Sequence, residues 1–413
     1  MHRRHTLLIF SQTFVPDPAA VGQHVADLAV AMARRGHRVI VYASARGYED
    51  PSQTYPRREN LHGVEVRRLP MASFGKSSIP LRVAGTFAFM LQCLLAGLFI
   101  PGVDGIFFST SPPLIGVVAA IVRLVRGTPI AYWAMDLNPD QLLALDKLQP
   151  HQWTARFLES VNRWILRESS LVIALDRFMA DRLHTRSQLG SRLVILPPWP
   201  HEEHIHLPDA DAPNSFRARH GLDGKFVVMY SGNHSPSNPL TTLLEAAVRM
   251  RGDPEVRFLF VGGGSGKREV ESFIREHQLD NVVSLPYQPM SELGQSLSAA
   301  DVHVVALGNR MVGIVHPCKI YGAMTVGRPI LYLGPQPSHI SDILDAHPIG
   351  RNVVHGDVDG AVAAIQSFRS AGRDALRTMG AAARTAVAHE FNQRTLRDRL
   401  CRQLEISLRL TDD

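Results

Sequence analysis

Short apolar runs recur along the whole chain, separated by stretches with helical spacing. In the first half they are TLLIF (6–10), RVIVYA (38–43), VEVRRL (64–69), GIFFST (105–110), PIAYWA (129–134), SLVIAL (170–175) and LVILP (193–197). Most are continuously apolar rather than alternating, the pattern of strands buried on both faces. Residues 23–35, closed by Gly36, and 177–187 read as helices between them. This alternation predicts a parallel sheet covered by helices on both sides. From 198 to 224 the text turns to PPWPHEEHIHLPDADAPNSFRARHGLDG, polar and rich in Pro, Asp and His, as in a linker. The scheme then repeats with FVVMYSG (226–232), RFLFVG (257–262), VVSLPY (282–287), VHVVAL (302–307) and ILYLG (330–334). Helices are expected near 239–250, 267–277 and 290–300, and over most of 357–411. The expected class is α/β: two tandem Rossmann-like, doubly wound domains facing an interdomain cleft. Their expected bounds are 1–200 and 225–390, joined by a linker at 201–224, with a C-terminal helix at 391–413 that packs back on the first domain.

One segment stands out chemically. Between Asp301 and Asp342 there is no carboxylate, yet the stretch carries His303, Arg310, His316, Lys319, Arg328 and His339. It runs strand, loop (GNRMVGIVH), then a helix-like PCKIYGAMTV. Pro317 suits the first helical position, where its missing N–H costs nothing. Gly327 suits the left-handed residue that ends a helix. A helix start with Lys319 in its first turn is a place to hold an anion. His316 could cap that helix or donate to a phosphate. Tyr321 lies about 200° round the helix from Lys319 and reads as core.

Composition narrows the picture only a little. The 413 residues exceed one comfortable core, and 45% apolar with 20% charged residues is ordinary for a globular protein. Cys93, Cys318 and Cys401 form neither a disulfide framework nor a zinc pattern. MHRRHTLLIF has too short an apolar run for a signal peptide and reads as a first strand, so a cytoplasmic location is expected. The net charge of +6 and pI near 9.4 imply anionic partners, but no nucleic-acid motif is present. VGGGSGK (261–267) fits neither nucleotide fingerprint: Lys267 stands where a dinucleotide fold needs glycine, and Arg268 where a P-loop needs Ser or Thr. It reads as a strand-to-helix turn in which glycine permits close packing.

Taken in order, the motifs resemble the GT-B glycosyltransferases of the large retaining GT4 group, in the bacterial branch that builds exopolysaccharide, colanic-acid-like polymers and O-antigen. FVPDPAAVGQHVADLAVAMARRGHRVIVYA (14–43), SPPL (111–114) and MDLNPD (135–140) carry the likeness in the first half. YSGN (230–233), FLFVGGG (258–264) and HPCKIYGAMTVGRPI (316–330) carry it in the second. Many members of the group have E-x7-E in the last segment, the second glutamate gripping the nucleotide ribose. Here those positions are Ile314 and Gly322, and Pro317-Cys318-Lys319 resembles the Pro-Ser-Lys variant of the polysaccharide branch.

The resemblance implies a nucleotide-diphosphate sugar donor on the second domain, its diphosphate held by Lys319 and the adjoining helix start. Gly22 and His24, after the first strand, would let the backbone approach the donor. Asn233 and His234 hold the mirrored place in the second domain. Asp136, after strand 129–134, could orient the acceptor hydroxyl or accept its proton, or form an Asx turn before Pro139. The implied activity is retaining hexosyl or N-acetylhexosaminyl transfer to a polyprenyl-diphosphate-linked sugar, with no metal, no cofactor and no nucleic acid. A sugar-nucleotide epimerase and a non-catalytic, membrane-associated subunit of an assembly complex are the alternatives. VAGTFAFMLQCLLAGLFI (83–100) lies between strands of one sheet, so it reads as a helix of the fold rather than a span. With LIGVVAAIVRLVR (114–126), tipped by Arg123 and Arg126, it is expected to dock peripherally on an anionic inner membrane face, unless both helices are simply buried.

Overall fold

A computed structural model describes residues 4–17, 19–47, 52–70, 79–200, 205 and 213–411. The chain divides into two compact units, residues 1–198 with 394–413, and residues 199–393. Of the linker expected at 201–224, residues 201–204 and 206–212 lie outside the described residues, and 213–224 include the short helix Ser215–Arg219.

The first unit holds an eight-stranded sheet: β1 (Thr6–Phe10), β2 (Arg38–Ser44), β3 (Arg58–Leu61), β4 (Val64–Leu69), β5 (Gly105–Phe108), β6 (Ile130–Trp133), β7 (Leu171–Ala174) and β8 (Leu193–Ile195). Its spatial order is β3-β4-β2-β1-β5-β6-β7-β8. All pairs are parallel except β3 with β4. Helices α1 (Ala20–Arg34), α2 (Ile79–Phe99), α3 (Ile115–Arg126), α4 (Asp140–Ala144), α5 (Trp153–Glu168) and α6 (Arg177–Arg186) connect the strands. The second unit pairs β9 (Phe226–Ser231), β10 (Val256–Val261), β11 (Val282–Leu285), β12 (Val302–Ala306), β13 (Ile330–Leu333) and β14 (Gly350–Val353) in the all-parallel order β11-β10-β9-β12-β13-β14. Its helices are α7 (Ser215–Arg219), α8 (Thr241–Arg249), α9 (Lys267–Glu276), α10 (Leu293–Ser298), α11 (Lys319–Thr325), α12 (His339–Ala346) and α13 (Val358–His389). Both sheets are the doubly wound, Rossmann-like kind.

Apolar runs became strands because both sheet faces are covered: Leu7, Leu8, Ile9 and Phe10 are all fully buried, as are Phe258, Leu259 and Phe260. Beyond the expected strands come β3, whose sequence RENL is polar on an exposed edge, and β14, GRNV.

Helix α14 (Gln393–Ser407) is counted with the first unit from Arg394 onward. Leu400, Cys401 and Leu404 are fully buried, and a Cβ on Gly105 would come within 3.0 Å of Leu408. Glu405 accepts a two-pronged hydrogen bond from Arg35, 2.7 Å on each oxygen, and lies 3.1 Å from Nε2 of His37.

Helices α2, α3 and α5 share one core with the sheet through Phe89, Cys93, Ile115, Val118 and Ile165. A Cβ on Gly97 would fall 2.6 Å from Val122, so only glycine lets α2 approach α3 this closely. The outer stripe of α2 stays exposed: Val83, Phe87, Leu91, Leu95 and Phe99, at four-residue spacing. Neither wholly buried nor wholly open, α2 is a one-sided helix. Among the described residues no helix is long and apolar enough to cross a membrane. The expected role of Arg123 and Arg126 as membrane-facing charges needs correction. Arg126 donates to the carbonyls of Gly97 and Ile100, closing the end of α2, and Arg123 bonds Ser170 with Glu168 at 3.5 Å.

Burial alone would push the Glu405 carboxyl up, but hydrogen bonds from Arg35 and His37 hold it below the usual carboxylate range. A lowered acid contributes stability that is present above its unfolded value, about 4.5, and lost as pH falls through the folded one. Glu405→Gln should therefore loosen α14 by about 1 kcal/mol at pH 7, exchanging a charged, two-pronged acceptor for a neutral one beside an exposed Arg35. Protection factors of the α14 amides, corrected for the pH dependence of intrinsic exchange, read this, and acid should lower the parent's protection toward that of the variant.

Candidate functional site

In the second sheet β9 has β10 on one side and β12 on the other, so the chain's connections diverge at its carboxyl end. Such a switch point opens a crevice where ligands bind in doubly wound sheets. Three features converge there: the loop after β9 (Gly232, Asn233, His234), the loop after β10 (Gly262 to Gly266), and Lys319.

The two loops touch backbone to backbone. A Cβ on Gly262 would lie 2.1 Å from the Gly232 carbonyl oxygen, and one on Gly264 would lie 2.0 Å from Oδ1 of Asn233. Gly232, Gly262 and Gly264 all have positive φ, at 137°, 131° and 116°. The peptide N–H of His234 donates to Gly263 (2.7 Å), and that of Gly266 donates back to His234 (2.9 Å). The glycine-rich stretch is thus a packing device, as read from its sequence.

Lys319 lies across this pair. A Cβ on Gly232 would fall 2.4 Å from Cε of Lys319, so the lysine stem occupies the space glycine leaves. Its ammonium sits 5.3 Å from the centre of the Tyr230 ring, a cation–π contact. Burial pushes its pKa down to about 8. Among the described residues no carboxylate pairs with it. A half-buried, unneutralised cation at the carboxyl edge of a sheet is suited to an anion.

The helix behind it starts later than expected. The cap position of α11 is Cys318, with no side-chain cap, and Lys319 is its first residue. Pro317 belongs to the preceding turn, where Cys318 N–H bonds the His316 carbonyl at 2.9 Å. The end fits expectation: Gly327 has φ of 65°, and the N–H of Arg328 reaches back to Ala323.

His316 does not cap the helix. Its Nε2 lies 2.9 Å from the Tyr321 hydroxyl, which is 3.1 Å from Nε2 of His339. Tyr321 is buried, as expected of core, but serves as the centre of this polar chain. His234 is buried too, its ring edge-on to Tyr230 at 5.2 Å. Burial, helped by the nearby charge of Lys267, lowers its pKa to about 4, so it is neutral near pH 7 and adds no charge. Lys267 is occupied, its Nζ donating to the Leu285 carbonyl at 2.9 Å. Asn233 is exposed beside Lys319's glycine.

In the first unit the structure places Gly22 inside α1 rather than in a loop. Its missing Cβ faces the backbone of Thr13 and Phe14 at 3.0 Å, so it serves the unit's own packing. His24 is buried with its ring 6.1 Å from that of Trp133. Asp136, after β6, lines a small cavity of about 30 Å³ with Ser109, Thr110, Tyr132, Asn138 and Asn162. Behind it Arg186 bonds Asp140 and lies 3.2 Å from Glu159.

Of the expected residues, Asn233, His234 and Lys319 come together in one place. His316 joins a hydrogen-bond chain instead, and Gly22 and His24 are packed within their own unit. Sequence reasoning missed Tyr230 and Gly232 as the seat of Lys319, although both lie in the YSGN motif. It also missed Tyr287, an exposed ring that a Cβ on Gly263 would touch at 3.0 Å.

Residues 19–199 match the model described as a glycosyl transferase 4-like domain, and residues 214–385 match glycosyl transferases group 1. The chain is 25% identical over 255 residues to the probable glycosyltransferase WbjE of Pseudomonas aeruginosa, covering 62% of this chain and 63% of that protein. It is 23% identical over 415 residues to the putative colanic acid biosynthesis glycosyl transferase WcaI of Escherichia coli, covering 94% and 96%. Among solved structures, sucrose-phosphate synthase of Thermosynechococcus elongatus superposes with a TM-score of 0.76 at 20% identity, covering 98% of this chain and all of that one. Anabaena HepE, in complex with UDP and glucose, does so at 0.72 and 16%, with 98% and 100% covered. These likenesses bear out the GT-B fold.

Because Gly262 meets the Gly232 carbonyl and has positive φ, Gly262→Ala should destabilise the second unit by on the order of 3 kcal/mol. Urea denaturation followed by hydrogen exchange in β9 and β10 would measure the loss.

Proposed function

The chain belongs to the GT4 glycosyltransferases of the bacterial exopolysaccharide and O-antigen branch, and we propose that it moves a hexose or N-acetylhexosamine from a nucleoside-diphosphate sugar to a polyprenyl-diphosphate-linked saccharide, with retention at the anomeric carbon. The observation that carries this reading is Lys319, an unneutralised cation seated on Gly232 and Tyr230 where the second sheet switches direction. As the bond between the sugar and the β-phosphate breaks, negative charge grows on the leaving diphosphate. An ammonium already desolvated and fixed in place stabilises that charge without reorganisation. Lys319 thereby takes the role a divalent metal plays in other transferases, and transfer proceeds in the presence of chelator. Asp136, lining the small cavity of the first unit, accepts the proton of the acceptor hydroxyl.

A second reading, a non-catalytic subunit, is favoured by one observation. Ile314 is buried and a Cβ on Gly322 would contact Leu297, so core packing stands where relatives' glutamates are expected. Activity decides between the two.

A lipid-linked acceptor goes with the exposed stripe of α2. Trp153 and Phe157 on α5 add exposed apolar surface to the same helix layer, and Arg156, Arg163 and Arg167 are exposed on that helix. We read this layer as the face that rests on the inner surface of the cell membrane, aromatic and aliphatic side chains entering the interface.

Lys319→Ala should abolish UDP binding in calorimetry and reduce sugar transfer by a factor of about 1000. If transfer survives unchanged, the donor assignment is wrong. If the parent neither binds a nucleoside diphosphate nor transfers sugar, the subunit reading stands. Since only the charged lysine holds a diphosphate, affinity should be level below pH 8 and fall by up to about tenfold per unit above it.

Phe87→Glu with Leu91→Glu should weaken sedimentation with anionic vesicles by about tenfold or more. Nucleotide binding in the absence of lipid should not change.

A further inference from the structure

The small cavity beside Asp136 offers more hydrogen-bonding capacity than the protein itself uses. It lies at the carboxyl ends of β5 and β6, bordered by the start of α3 and by α5. Ser109 lines it and is 1% exposed, and its Oγ is buried with no hydrogen-bond partner among the described residues. Buried hydroxyls are nearly always bonded, so an unpaired one in a cavity wall marks a place for a ligand oxygen. Tyr132, stacked on Phe108 with ring centres 5.1 Å apart, brings a second hydroxyl that bonds no described residue. Asn162 donates its amide to the Asn138 carbonyl, which leaves Oδ1 as an acceptor that no described residue uses.

Size and charge narrow the occupant. The cavity measures about 30 Å³, close to the share of one molecule in liquid water, so it admits a single hydroxyl-bearing carbon and not a sugar ring. Asp136 is the one charged residue in its wall, which suits a neutral polar group rather than a phosphate. Leu114 and Ile165 supply apolar wall beside the polar groups. A hydroxymethyl arm has this mixed character, whereas a ring hydroxyl lies too close to its ring to reach in. The surroundings are close-packed: a Cβ on Gly116 would stand 2.7 Å from Ile165 and 2.8 Å from Phe108. Leu114 is held at φ 67°, a conformation that favours glycine, where α3 begins without a side-chain cap. The cavity is therefore not slack in a loose core.

Helix α5 serves two surfaces. Phe157 is exposed on the layer proposed to rest on the membrane, and Asn162, about 7.5 Å further along the axis, lines the cavity. A sugar carried on a lipid at that layer comes within reach of it.

We propose that this cavity reads the primary hydroxyl of a neutral hexose at the end of the acceptor. The oxygen of the hydroxymethyl arm bonds Ser109, with Tyr132 and Asn162 completing its shell, and its carbon rests on Leu114 and Ile165. The ring is thereby held beside Asp136. Ser109 sets acceptor specificity in this arrangement, since a 6-deoxy sugar would leave its hydroxyl unpaired.

Methyl glycosides of D-glucose, D-galactose, D-mannose and N-acetyl-D-glucosamine are the probes, each beside its 6-deoxy counterpart, with the full chain and no donor. Saturation-transfer NMR should show at least one retained, its C6 protons receiving the most saturation. The 6-deoxy counterpart should bind about tenfold more weakly or worse. Ser109→Ala should shrink that preference to about twofold. Because Oγ has no partner in the free protein, the variant's melting temperature should not fall, which separates recognition from a structural role. No glycoside retained, 6-deoxy forms retained equally, a preference that survives Ser109→Ala, or a lowered melting temperature would each overturn the assignment. The proposal rests on the reading that the first unit takes the acceptor, but the readout needs neither donor nor turnover. A chain that retains the hexose yet transfers nothing refutes the transferase reading and keeps the pocket. One that binds UDP and transfers sugar but retains no glycoside here refutes the pocket alone.

Discussion

The contact on which the second unit's chemistry depends is between two pieces of backbone, Gly262 against the carbonyl of Gly232. It holds the loops after β9 and β10 close enough for a lysine stem to cross Gly232, and it requires positive φ on both sides. Any Cβ at either residue would separate the loops or evict Lys319. The aromatic ring of Tyr230, the buried imidazole of His234 and the carbonyl-bound Lys267 then fix the surrounding frame. Glycine at three positions therefore serves to place a cation.

The same unit manages charge differently at its two edges. At the carboxyl edge one ammonium is desolvated and left without a counter-ion, which lowers its pKa and keeps it reactive toward an incoming anion. At the amino edge guanidinium groups are paired, Arg217 with Asp301 and Arg369 with Glu255. Arginine suits that edge because it stays charged when crowded, whereas a lysine would shed its proton. At the carboxyl edge the cation is in place before any partner arrives. Such preorganisation makes anion capture cheap in reorganisation and costly in stability.

Much of the fold was legible because parallel strands covered on both faces must be apolar throughout, as 6–10 and 257–262 are. β3 and β14 were not, since edge strands bury little and their RENL and GRNV carry no apolar signal. Lys319 was legible from the missing carboxylates around it. Its seat was not, because Gly232 and Tyr230 meet it across some ninety residues of sequence. The start of α11 was misplaced by Pro317, whose preference for a first helical turn is equally met by the turn that precedes this helix. Arg126 shows the same limit. A basic residue at the tip of an apolar helix reads as membrane-facing until the carbonyls of Gly97 and Ile100 are seen to claim it. Side chains that close distant backbone leave no local trace.

The packing at Ile314 and Gly322 has a consequence for selectivity. In the group the chain resembles, the resemblance implies a glutamate there on the hydroxyls of the nucleotide ribose, but here Ile314 is core and Gly322 faces Leu297. No carboxylate from this segment is left to accept those hydroxyls. On the proposed reading, the recognised part of a donor is then chiefly its diphosphate, held by Lys319, which every nucleoside diphosphate shares. On that reading, discrimination among bases would fall to the loops after β10 and β11, where backbone groups near Gly263 meet the exposed ring of Tyr287. A ring stacks on any base, whereas backbone N–H and carbonyl groups read its edge. On that reading, base selectivity would rest on main-chain geometry, which the glycine contact between Gly232 and Gly262 sets.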